Sequence, residues 1–261
     1  MSREGAKVAF AVAAHPDDIE FLMAGTLMLL GEAGYQLHYM NIANGSLGTM
    51  RFDPPTIVAM RRGEAMEAAA SIGATYHESI CCDLDIFYDR PTLAAVAAVM
   101  REVGPDIVLT HSPLDYMEDH MNACRLAVTA AFARGMPNFH TTPPRTAINK
   151  PVAVYHAQPY SNYDPLRRLV LPDFYVDVTD RQQAKVAMLA KHKSQKEWLD
   201  ASQGLDSYLR AMQDLDAAVG RLSGRFQFAE GWRRHLHLGF GAPDHDPLRE
   251  ALAGRVSEAS S

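Results

Sequence analysis

From Lys7 to Ala14 nearly every position is apolar, with Val8, Phe10 and Val12 at the centre. A run that short and that continuous suits a strand buried on both faces of a parallel sheet. The pattern then changes period. Asp18 to Ala33 carries Ile19, Leu22, Met23, Leu27 and Leu30 at helical spacing and stops at Gly34, so a helix is expected there. Gln36 to Ala43 returns as a strand, Asn44-Gly45-Ser46-Leu47-Gly48 reads as a turn, and Ile57 to Ile72 as an amphipathic helix closed by Gly73. Thr92 to Val103 is again helical, Gly104-Pro105 breaks it, and Asp106 to Thr110 holds the strand core Ile107-Val108-Leu109.

Asp119 to Arg134 is the next expected helix, followed by a proline-containing loop over Met136 to Lys150. Pro151 to His156 and Phe174 to Val178 read as two further strands. Asp180 to Leu199 and Leu205 to Leu222 read as helices, and the stretch after Pro243 as a short helix with a frayed tail. Strands alternating with helices predict an α/β, Rossmann-like architecture: a mostly parallel sheet with helices on both faces. With no repeat or linker in evidence, residues 1–261 read as one catalytic domain, its core over about residues 5–200 and a helical C-terminal extension from about residue 203.

Composition narrows the class of partner. The chain has 261 residues, 48% of them apolar, enough for one large core. Its net charge of -6 comes from intermixed acids and bases, without the basic patch of a nucleic-acid binder. No apolar stretch reaches the roughly 20 residues of a membrane helix, and nothing near Met1 resembles a signal peptide. The expectation is a cytoplasmic protein acting on a small molecule, with assembly into a homo-oligomer left open. Cys81, Cys82 and Cys124 have the spacing of neither a disulfide framework nor a structural zinc site.

Two polar clusters follow strands. His15-Pro16-Asp17-Asp18-Ile19-Glu20 comes directly after the first, and the segment from His111 to His120 directly after Asp106 to Thr110. In open α/β sheets ligands bind beyond the carboxyl ends of strands, so both clusters are expected at one pocket. His15 and Asp18 lie three residues apart across a proline-stiffened turn and can reach one ion, with His120 as third ligand. Two nitrogens and one carboxylate leave a position open for water, as in a catalytic zinc site. Such an ion lowers the pKa of its water from 15.7 to about 7, and Asp17, beside the ion but off it, is placed to take the proton. The competing view makes Asp17 and Asp18 helix caps and the histidines surface residues. It accounts for one aspartate, not for the joint placement of four such residues at two strand ends. The same ligand set describes the facial triad of Fe(II) oxygenases, so Fe2+ is the alternative to Zn2+; those enzymes, however, usually use an antiparallel barrel, and Asp17 has no obvious oxidative task.

The string Ala14-His15-Pro16-Asp17-Asp18-Ile19-Glu20 resembles the signature of the LmbE-like, or PIG-L, deacetylase family, and Asp119-His120 resembles its second metal motif. The resemblance continues through Asn44 to Gly48, Arg61-Arg62-Gly63-Glu64-Ala65 and His192-Lys193-Ser194-Gln195, so it spans residues 7–195. It implies zinc on His15, Asp18 and His120, Asp17 as general base, and a sugar-derived N-acylated substrate of the N-acetylglucosamine type; amidases of larger conjugates are the alternative within hydrolases. Several members carry a histidine three residues before the ligand histidine, where this chain has Met117. The resemblance offers His192 instead, as an acid or oxyanion partner in the pocket. Arg61 is a candidate substrate binder, because a guanidinium presents a planar fork of donors; pairing with Glu64 or Glu32 is the other reading. Asp85 stands where members often have a substrate-binding aspartate, and is equally readable as a turn residue. Asn44 and Ser46 are candidates for the pocket floor, and Asp115 for orienting His111 or a metal ligand.

Overall fold

The computed structural model describes residues 5–203 and 207–259. One eight-stranded sheet runs through it in the order β3-β2-β1-β4-β5-β7-β6-β8. The strands are β1 (Val8–Ala13), β2 (Gln36–Asn41), β3 (Thr75–His77), β4 (Ile107–Thr110), β5 (Ala153–Ala157), β6 (Phe174–Asp177), β7 (Ala229–Arg234) and β8 (Val256–Glu258). The first five are parallel, and the last three pair antiparallel. β1 is buried at every position. Ala9, Ala11 and Ala13 face one helical layer, while Val8, Phe10 and Val12 face the other, which is why alternation is invisible in its sequence.

Helices α1 (Asp18–Leu22), α2 (Ala24–Glu32), α3 (Pro54–Ser71), α6 (Gln182–Leu189) and α8 (Ser207–Ser223) contribute to the first layer. Helices α4 (Arg90–Val103) and α5 (Glu118–Ala133) form the second. α7 (Lys193–Gln203) joins α6 to the region of α8, and α9 (Pro247–Ala251) precedes β8. Local capping matches the sequence signals: Asp53 and Asp89 accept from Thr56 and Thr92 at the starts of α3 and α4, and Gly104 closes α4 in the left-handed region at φ 58°. Residues Leu205 and Asp206 of the expected Leu205–Leu222 helix lie outside the described residues, as do Ser260 and Ser261 of the tail. No described helix is long and apolar enough to cross a membrane.

Three differences from the pattern have tertiary causes. The helix expected over Asp18 to Ala33 breaks at Met23 (φ -139°). The break frees amides that a distant strand satisfies: Glu230 of β7 accepts from Gly25 and Thr26 at 2.8 Å each, and Trp232 donates to the Thr26 hydroxyl at 2.9 Å. Gly25 is needed there, since a Cβ would sit 2.5 Å from Val178. β7 itself, Ala-Glu-Gly-Trp-Arg-Arg, lies beyond the expected helices and inserts between β5 and β6. Its charged Glu230 is fully compensated by those amides and by Lys185 at 2.8 Å, so a sequence that reads as half polar is buried. The tail runs as edge strand β8 on β6 as far as Glu258 rather than fraying.

The topology decides where chemistry can sit. The chain leaves β1 towards β2 and β3, then crosses back to β4 on the other side of β1. Loops leaving the carboxyl ends of β1 and β4 therefore diverge and open a crevice between them.

Candidate active site

The loop after β1 is held tightly. Asn41, at the end of β2, donates to the His15 carbonyl at 2.6 Å, and Arg61 on α3 donates to the Pro16 carbonyl at 2.7 Å. The Asp18 amide closes the turn onto His15. Asp17 takes φ 113°, ψ -23°, a conformation that costs a residue with a Cβ about 1–3 kcal/mol and persists only where the surroundings enforce it. The return is that adjacent carboxylates project in different directions.

His15, Asp18 and His120 converge, their ligand atoms all within 4.8 Å of one another. Each imidazole has one nitrogen bound to a carboxylate behind it. His15 Nε2 lies 2.9 Å from Asp119 and His120 Nδ1 lies 3.0 Å from Asp115. The other nitrogens turn to Asp18, His15 Nδ1 at 3.4 Å from one oxygen and His120 Nε2 at 3.4 Å from the other. A carboxylate behind each ring fixes the tautomer and aims the free lone pair, as around a bound metal. Electrostatics agrees. Burial opposes charge on His15, yet Asp119 and Asp18 more than offset it and push its pKa up to about 10. Asp18 would rise on burial alone, but the His120 and His111 imidazoles hold it well below the usual carboxylate range. The donor set thus demands positive charge, and a divalent cation fits it.

A second grouping, His111, Asp115 and His120, meets the same distance criterion, but His111 is fully buried and outside the cavity lining. Its Nε2 accepts from the Ala14 amide at 3.0 Å, and its ring stacks on His120 with centroids 4.2 Å apart. His111 braces the ligand loop and His120.

The triad opens into a cavity of about 630 Å³. Asp17 lines it. Its Oδ2 accepts from the Tyr208 hydroxyl at 2.7 Å and lies 3.7 Å from the Arg61 guanidinium. Burial raises the Asp17 carboxyl and Arg61 pulls it back, leaving a pKa of about 6, so the group is ionised near neutral pH yet can hold a proton. Tyr116 and Tyr160 form an aromatic wall: Tyr116 meets His120 and Tyr160 at 5.5 and 5.7 Å, and Tyr160 meets Phe21 at 5.6 Å. Met117 lines the cavity beside them.

Other candidates are placed differently. His192 is fully buried outside the cavity lining, its Nε2 3.1 Å from Glu20, which also accepts from Tyr39, and its charge favours the ionised form of Asp17. Asp85 is exposed and outside the lining. Asp83, two residues earlier, is the buried one, accepting from the Gly45 and Leu47 amides at 2.7 and 3.0 Å at the cavity edge. Asn44 accepts from the Ser46 amide, a turn contact, and is not in the lining. Arg61 lines the cavity, but its guanidinium is engaged by Pro16 and Asp17 rather than by Glu64, which instead receives Ser194. A Cβ at Gly45 or Gly48 would lie 2.4 or 2.3 Å from Arg61, so the glycine turn exists to admit that side chain. Asp83, Tyr116, Asp119, Tyr160 and Tyr208 contribute without having been singled out by role in the sequence; Tyr208 in particular carries no signal beyond an aromatic on a helix.

Residues 10–132 match the model of the PIG-L family, GlcNAc-PI de-N-acetylase. The chain is similar to the diacetylchitobiose deacetylase of Thermococcus kodakarensis, 27% identical over 233 residues that cover 87% of this chain and 82% of that protein. It is also similar to the 4-oxalmesaconate hydratase of Pseudomonas putida, 29% identical over 195 residues, 70% of this chain and 73% of the relative. Among solved structures, the N,N'-diacetylchitobiose deacetylase from Pyrococcus horikoshii superposes with a TM-score of 0.76 at 22% identity, over 94% of this chain and 90% of that one; at that identity the likeness speaks for the fold.

Proposed function

From the premise that the chain carries a PIG-L (LmbE-like) family domain, we propose that it is a metal-dependent hydrolase that removes an acetyl group from the nitrogen of a small, sugar-like substrate. The observation that carries this reading is the division of labour between adjacent aspartates. Asp18 lies among the free lone pairs of His15 and His120, while Asp17 is turned aside onto Tyr208 and Arg61. His15, Asp18 and His120 would hold the ion, which in zinc chemistry activates water and polarises the amide carbonyl. Asp17 takes the proton from the attacking water and returns it to the departing amine nitrogen, so that acetate and a primary amine leave. Tyr116 and Tyr160 stack against the flat faces of the substrate and limit water at the wall.

The hydratase relative raises water addition to a carbon–carbon double bond as the second reading. Cavity charge favours the amide. The charged lining groups outside the metal triad are Asp17, Asp83 and Arg61, and the guanidinium already serves Pro16 and Asp17, so away from the metal a carboxylate-rich substrate would meet two carboxylates with no second cationic side chain among the described lining residues. The test is to load the protein with Zn2+ and measure acetate and primary amine release from N-acetylglucosamine, diacetylchitobiose and N-acetylated glycosides, with unsaturated dicarboxylates as the comparison arm. Amide cleavage abolished by chelation is expected. Hydration of the dicarboxylates without amide cleavage overturns the reading.

A further inference from the structure

The cavity is completed by a helix outside the segment that matches the family model. α8 begins at Ser207, and its Tyr208 and Ala211 line the cavity. Tyr208 is 3% exposed and lies 191 positions from the carboxylate it touches. Its ring packs edge-on to Phe21 at 5.2 Å, which sets the ring's position without the hydroxyl. The hydroxyl is therefore free to serve another purpose, and it donates a 2.7 Å hydrogen bond to Asp17 Oδ2. Arg61 lies against that same oxygen at 3.7 Å.

We propose that Tyr208 is a positioning residue for the catalytic base: with Arg61 it occupies one oxygen of Asp17, holding the side chain so that the other oxygen, Oδ1, receives the proton of the attacking water. This rests on the reading of Asp17 as base. The physical need is clear in the loop itself. Asp17 sits in the left-handed region on a turn, and a carboxylate on such a turn can rotate about two side-chain bonds unless one oxygen is tied. A charge-assisted O–H···O⁻ bond of this length is the strong kind. Proton transfer requires the acceptor within hydrogen-bond reach of the water, and a misplacement of about 1 Å costs on the order of 10²-fold. The C-terminal region thus has a task in the chemistry: α8 brings to the base a donor that neither the β1 loop nor α3 supplies.

Tyr208→Phe keeps the ring and its packing on Phe21 and deletes the donor alone. Expected is a fall in kcat of about 10- to 100-fold, with KM, bound metal and melting temperature close to wild type. A double-mutant cycle separates positioning from general support: once Asp17→Asn has removed the base, adding Tyr208→Phe should cost less than about threefold more, because the two act as one unit. Tyr208→Ala, which also loses the ring, should fall in both kcat and stability. The inference is overturned if Tyr208→Phe turns over like wild type, if its loss of activity tracks loss of metal or of folded protein, or if its effect adds fully to that of Asp17→Asn. Failure of the base assignment is distinguishable: there Asp17→Asn itself would be active.

Discussion

Replacing Asp119 by alanine removes one acceptor that serves two donors. Its Oδ2 receives His15 Nε2 at 2.9 Å and the Leu84 amide at 2.8 Å. With the acceptor gone, His15 is free to rotate and to place its proton on Nδ1, the nitrogen that faces Asp18 and would coordinate the ion. Outer carboxylates of this type contribute about 10- to 100-fold to metal affinity, which at about 1.4 kcal/mol per decade is roughly 1.4–2.8 kcal/mol. Because both donors fall on a single oxygen, asparagine with its carbonyl oxygen in that place keeps both bonds and loses only the charge. Asp119→Asn should therefore lie nearer to wild type than Asp119→Ala does. Competition for Zn2+ against a fluorescent chelator, at fixed pH, reads all three affinities. Equal affinity for wild type and Asp119→Ala would refute the orienting role; an asparagine variant as weak as the alanine one would shift the cause from geometry to charge.

The adjacent aspartates should separate cleanly on mutation: Asp17→Asn is expected to lower kcat by about 10²–10⁴ with metal content retained, whereas Asp18→Ala loses metal and activity together, as metal analysis alongside an amine-release assay will read. Lys185 is fully buried between Asp216 at 2.7 Å and Glu230 at 2.8 Å, so Lys185→Met strands two carboxylates and should destabilise the fold by about 3–5 kcal/mol in urea titration. The same cluster predicts a pH dependence: burial disfavours the charged lysine, but Asp216 and Glu230 outweigh it and raise its pKa. A raised folded value means the stabilisation is complete below the unfolded pKa of about 10.4 and is lost as pH rises through the folded one. Wild-type urea midpoints should therefore drop at strongly alkaline pH by more than those of Lys185→Met; parallel curves would contradict this.

How much of the site could be read in advance depends on chain distance. Residues that act on their immediate neighbours were legible: His15, Asp17 and Asp18 sit on one turn, and the turn at Asn44 to Gly48 is a turn. Asp85 was a near miss because two aspartates flank Leu84, and only burial distinguishes Asp83, whose carboxylate holds two amides of another loop. His192 reads as a pocket residue from its motif; its buried ring lies outside the cavity lining with Nε2 at 3.1 Å from Glu20, a partner that its motif does not name. The bonds from Glu230 to α2 and from Tyr208 to Asp17 join residues 205 and 191 positions apart, and no periodicity carries that information.

The sequence by itself determined most of the alternation of strands and helices, four of the five parallel strands, all but β3, and the residues gathered after β1 and β4, because apolar period, caps and strand-end clusters are local properties of the chain. Tertiary structure alone decided the antiparallel half, the break at Met23, the Asp119 carboxylate behind His15 and the donor on the base. Each of these satisfies a buried polar group with a partner from a distant element, and the cost of leaving such a group unpaired, felt only once the core has closed, is what selects that partner.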